Sequence, residues 1–175
     1  MNIQEYFDEY CKENQLTIKL STDMPKGYES ANGTFDISIN TLFFNTKMLL
    51  DCPEYEKLFY LFHELRHALQ YTKPHLFSDI INRSINYVIM YNGDCYVLKK
   101  NKWKECKIDG TEEFLTKIYL GQPYEVDANR YAYEKVKSIF GNSEELKKLF
   151  SFWVPEKCLE DKKYEELYDK IDNLI

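Results

Sequence analysis

Residues 63–67 read His-Glu-Leu-Arg-His, and two histidines four positions apart project from one side of a helix, one turn above the other. Imidazoles stacked in this way can share one metal ion. Glu64 stands at the edge of the same face, where a carboxylate can take a proton from a water molecule held there. The chain has only three histidines, so the coincidence of two in this register is informative. On a helical wheel starting at His63, His67 falls about 40° away, with Tyr60 and Glu64 on the same side. Leu58, Leu61, Phe62, Leu65, Ala68 and Leu69 cover the other side, so the expected helix has a polar cleft face and an apolar core face.

A catalytic zinc takes three protein ligands and leaves a fourth position open. A histidine ten residues beyond His63 would extend the motif, but Lys73 stands there and Gln70 holds the position where that pattern has glycine. His75 lies past the expected helix end and reads as a loop histidine. The segment PYEVDANRYAYEKV, residues 123–136, offers a better third ligand. As a helix it sets Glu125, Ala128, Asn129, Ala132 and Val136 on one inward stripe, whereas Asp127 shares the opposite side with Arg130 and Glu134. Metal ligands His63, His67 and Glu125, with Glu64 as general base, are therefore the expected site. The small residues Ala128 and Ala132 would let this helix approach the histidine helix closely. Asn129 either orients a histidine ring or is a polar residue at a packed edge.

These residues need elements to position them. Apolar spacing predicts a helix from Ile3 to about Asn14, a short strand over Leu16–Leu20, and a half-buried strand near the sheet edge in which Phe35, Ile37 and Ile39 alternate with polar residues. The histidine helix is expected from Pro53 to about Thr72, closed by Pro74. Between Ile85 and Ile108 three β-rich runs, separated by Asn92-Gly93 and Lys100-Asn101, predict a meander. Helical patterns return over Thr111–Tyr119, from Pro123 to about Phe140, over Ser143–Phe152 and over Glu156–Asn173. The expected fold is α+β: one domain over residues 1–175, with a small sheet whose edge strand packs on the histidine helix, a second ligand-bearing helix and a helical C-terminus.

Composition removes several function classes. With 44% hydrophobic and 16% aromatic residues the chain is too apolar for disorder, and 175 residues suffice to bury a core. A net charge of -6 without a dense basic run argues against a nucleic-acid ligand. No segment reaches the ~20 apolar residues of a membrane span, and the acidic start lacks the character of a secretory signal, so a cytoplasmic location is expected. The five cysteines, scattered and never spaced as C-x-x-C, are expected to be reduced thiols that neither form a disulfide framework nor hold zinc.

With these motifs in place, the chain resembles the gluzincin metallopeptidases, and within them the ImmA/IrrE-like family associated with phage and mobile-element regulation. In that family a strand precedes an HExxH helix, and a later helix carries Glu-x-[Asp/Glu]-Ala-Asn-x-aromatic-Ala. Glu125, Asp127, Ala128, Asn129, Tyr131 and Ala132 are similar to the second motif. The resemblance implies a zincin-like fold, one zinc per chain on His63, His67 and Glu125, and catalysis by Glu64. It runs loosely from Phe35 to Phe140. The chain departs from it at Arg66, where a small residue is common, in the intervening meander, and at YEKVKSIF, where a Leu-Leu-Met-Pro-like end is usual.

The expected activity is hydrolysis of a protein or peptide by an endopeptidase. Two neutral imidazoles and one carboxylate leave a bound zinc with net positive charge, which lowers the pKa of its water to about 7. Tyr60, Tyr71, Tyr124 and Tyr131 are candidate donors to the oxyanion. The strand around Phe35–Ile39 can take an extended peptide by strand addition. An alternative is a zincin-fold binding or regulatory module with little turnover, although such a module has no need of Glu64. A structural zinc site is disfavoured because those sites generally use four protein ligands, often with cysteine.

Overall fold

The computed structural model describes residues 2–100 and 102–175; Asn101, half of one expected turn, lies outside them. The fold is α+β, and the chain forms two compact units. One comprises the residues up to Pro74 with Ala128–Phe150, the other His75–Asp127 with Ser151–Ile175.

In the first unit, helix α1 (Ile3–Glu13) begins in a capping box: the Asn2 side chain accepts from the Glu5 N–H at 3.0 Å, and Glu5 accepts from the Asn2 N–H at 2.7 Å. Strands β1 (Lys19–Ser21), β2 (Gly33–Asp36) and β3 (Thr41–Phe44) form a sheet of order β1-β3-β2. β3 is central and buried along its length, parallel to β1 and antiparallel to β2. β2 is therefore an edge strand. Helix α2 (Glu54–Thr72) packs on β2 and β3. Its apolar face is as the wheel requires: Leu58, Leu61, Leu65 and Ala68 are fully buried and Phe62 and Leu69 nearly so. Each such leucine contributes about 1.5–3 kcal/mol through burial. At the end of α2, Lys73 Nζ donates to the Asn14 carbonyl at 2.6 Å, which ties it to the end of α1.

The single strand expected through Ile39 is instead a hairpin. β2 stops at Asp36, whose carboxylate accepts from both the N–H (2.8 Å) and the hydroxyl (2.6 Å) of Ser38. This side-chain turn and the positive φ of Asn40 (49°) reverse the chain, which returns as β3 and leaves Ile37 and Ile39 exposed. The alternation of residue types was real, but the local hydrogen bonds of Asp36 outweighed it.

After a turn over Pro74–Leu76, the second unit continues with helix α3 (Asp79–Ser84) and then an antiparallel meander of β4 (Tyr87–Ile89), β5 (Asp94–Lys99) and β6 (Lys102–Lys107). Gly93 turns β4 into β5 at φ 86°, and a Cβ there would stand 2.4 Å from the Ile108 carbonyl oxygen. Helix α4 (Glu112–Leu120) and helix α7 (Asp161–Asp172) bring Leu115, Ile118, Tyr164, Tyr168 and Ile171 to the core that Ile89, Cys95 and Val97 begin. Arg83 on α3 bonds Glu165, Asp169 (2.7 Å) and Asp172 (3.5 Å) on α7. The last helix starts five residues later than Glu156, where spacing put it; Leu159 instead packs against this core, a tertiary contact that spacing does not encode.

Helix α5 (Pro123–Phe140) starts in the second unit and continues in the first, and helix α6 (Glu144–Trp153) follows it. No helix among the described residues is long and apolar enough to cross a membrane.

Candidate metal centre

The helical phase of α2 carries His63, Glu64 and His67 away from its leucines, as the sequence requires. His67 and Glu64 are nonetheless largely buried, at 7% and 9% exposure, and His63 is half-buried. The two Nε2 atoms face each other at 2.9 Å. A tetrahedral metal bonded to both at about 2.0–2.1 Å holds such a pair about 3.3 Å apart, so a small opening of the two rings admits one ion.

Gln70 fixes the second ring. Its Oε1 lies 2.8 Å from His67 Nδ1, and an amide oxygen can only accept, so Nδ1 carries the proton and Nε2 keeps its lone pair for a metal. Gln70 is 1% exposed. In the sequence it was visible only as a departure from the extended motif; its position three residues after His67, on the same helix face, is the signal that could have found it.

Glu125 comes from the first turn of α5. That turn is anchored within the second unit: the Tyr124 N–H donates to Ser84 Oγ at 3.1 Å, and Gln122 Nε2 donates to the Ile89 carbonyl at 3.3 Å. The ligand atoms of His63, His67 and Glu125 all lie within 4.8 Å of one another, and this group can hold a metal ion. Asp127 and His75 are not part of it; His75 is exposed. The inward stripe of α5 is as expected, with Ala128, Ala132 and Val136 fully buried and Asn129 3% exposed. The hydrogen bond on the His67 ring, however, is made by Gln70.

Glu64 meets the edge strand. A Cβ built on Gly33 in β2 would stand 2.7 Å from Glu64 Cγ and 3.1 Å from the Phe43 carbonyl oxygen, so only glycine lets the strand run this close to the carboxylate-bearing side chain. Nothing in the sequence pairs residues 33 and 64, and this relationship was missed.

Of the four tyrosines considered as donors, Tyr131 is committed to packing: its ring meets that of Tyr10 (6.0 Å) and lies under the Arg66 guanidinium (4.7 Å). That contact gives Arg66 a role in joining α2 to α5. Tyr71 packs on Phe35 of β2 at 6.1 Å, and Tyr60 on Phe59 at 5.8 Å. Tyr124 is 7% exposed. Tyr119, on the helix before α5, is half-buried. Burial and then the negative charge of Glu125 push its phenol above the ordinary range.

No protein-family model matches the chain, and neither a curated protein nor a solved structure is found to be similar to it.

Proposed function

We propose that the chain is a zinc-dependent endopeptidase of the gluzincin type, akin to the ImmA/IrrE-like enzymes, acting on a protein or peptide. The observation that carries this reading is the conjunction of a His, His, Glu group within bonding reach of one ion with a largely buried glutamate beside an open strand edge. The donor set fits zinc: two imidazole nitrogens and one carboxylate, one ring oriented by a hydrogen bond from its other nitrogen. When bound there, zinc supplies a Lewis acid that acidifies a water molecule and polarises a carbonyl.

The protein's own residues supply the rest. β2 offers main-chain donors and acceptors on the side that does not pair with β3, and an extended peptide laid along them comes past Gly33. Glu64 takes the proton of the attacking water and passes it to the departing amine. Its 9% exposure limits competing solvent at that carboxylate.

A Glu64→Gln protein tests this. It should retain zinc at the wild-type ratio, capture a substrate from the cell, and turn it over on the order of 10²- to 10⁴-fold more slowly than wild type, the usual loss when a general base is removed. Captured proteins that wild type, holding zinc, never cuts would instead support a binding module.

A further inference from the structure

In the meander of the second unit, Cys95 of β5 is the direct cross-strand partner of Cys106 of β6. The Ile108 N–H donates to the Gly93 carbonyl at 2.9 Å, two residues along the same ladder, so Cys95 and Cys106 form a hydrogen-bonded pair with Cα atoms about 5.5 Å apart. That lies inside the roughly 4.4–6.8 Å that a disulfide spans. Both side chains leave the same face of the sheet, because residues directly opposite in an antiparallel ladder share a face.

Their surroundings differ. Cys95 is fully buried among Ile89, Val97 and Ile118, while Cys106 packs against the edge of that core and is partly exposed. Burial, and then the hydrogen bond that its S–H donates to Cys106, push the Cys95 thiol up, so Cys95 stays protonated while the outer sulfur meets solvent. Cys11 sits in α1, Cys52 just before α2 and Cys158 before α7, and none of them lies opposite another cysteine in a strand pair.

We infer that Cys95 and Cys106 are a reversible redox pair, closing to a disulfide when the outer thiol meets a peroxide. The Cys106 thiolate attacks one oxygen of hydrogen peroxide, forming the S–O bond of a sulfenic acid as the O–O bond breaks, and the departing hydroxide takes up the proton that the thiol gave and leaves as water. The Cys95 sulfur then attacks the Cys106 sulfur: the S–S bond forms as the S–O bond breaks, and the Cys95 proton goes to the departing hydroxide, which leaves as a second water. The peroxide gains the two electrons that the thiols lose. Cβ atoms across such a pair rest about 4.5–5.5 Å apart, and a disulfide draws them to about 3.8 Å. The bond is therefore more easily reduced than a relaxed one, which suits a switch rather than a permanent staple. The inference is independent of the metal site.

Reduced protein treated with hydrogen peroxide, then alkylated in denaturant and mapped by mass spectrometry, tests it. Two of the five thiols should become unreactive, the intact chain should lose two hydrogens, and one cross-linked peptide should join Cys95 to Cys106; dithiothreitol should restore all five. Cys106→Ser, which changes the outer residue and spares the core, should abolish the cross-link, and Cys11→Ser should leave it intact. Five alkylatable thiols after peroxide would overturn the inference, as would a bridge between other cysteines or a Cys106 sulfinic acid beside an unmodified Cys95.

Discussion

Gly33 and Glu64 are 31 positions apart in the chain and touch: a methyl group on the first would stand 2.7 Å from the Cγ of the second. Gly33→Ala should therefore move the Glu64 side chain or the edge strand while leaving His63, His67 and Glu125 alone. Displacing a reacting group by about 1 Å can cost ~10²-fold in turnover. The expected result is unchanged zinc content with cleavage of the trapped substrate slowed by about that factor. Wild-type turnover in Gly33→Ala would show that Glu64 is not held by this contact.

Gln70→Ala should weaken metal binding rather than abolish it. The His67 ring would lose the acceptor that fixes its tautomer, a loss that typically costs about 10- to 100-fold in metal affinity. Competition with a chromophoric chelator measures it, and Gln70→Glu, which keeps an acceptor at the same reach, should recover much of the affinity. Equal affinities in wild type and Gln70→Ala would remove the orienting role.

Glu125→Ala should lose most of the bound metal, and Asp127→Ala should keep it, because only Glu125 joins the histidines. Metal content after chelation and stoichiometric refilling distinguishes them. His67→Ala serves as the reference for a lost ligand, and the reverse ranking of the two acids would refute the assignment.

Gly93→Ala should destabilise the second unit through its meander. A side chain there is strained by the φ of 86° and collides with the Ile108 carbonyl, and strain of this kind costs about 1–3 kcal/mol. Denaturant unfolding should show a lowered midpoint. Leu65→Ala, in the fully buried face of α2, should cost about 2–5 kcal/mol by the same measurement.

What the sequence disclosed was periodic. The helix that carries Glu125 runs from Pro123 to Phe140, where spacing put it, and the leucine face of α2 is buried residue for residue. The histidine pair followed from one helical turn, and Glu125 from the phase of another. What stayed hidden depended on contacts that no period encodes. Asp36 ended a strand because its carboxylate found Ser38, and Leu159 delayed α7 by joining a core built from distant residues. Gly33 carried no signal of its role because its neighbour across space, Glu64, is far away along the chain.

If a substrate docks along β2 as proposed, the shortness of that strand sets a recognition length. In an antiparallel pair alternate residues direct their N–H and C=O groups outward, so a strand of four residues has about two that can bond a guest chain. A peptide docked there is held at roughly one dipeptide of backbone, which is too little to select a sequence or to grip an unfolded chain unaided. Selectivity must then come from side chains or from a folded partner that presents one extended segment. The same brevity protects the protein from itself, since an edge this short gives a second copy little on which to build a continuous sheet.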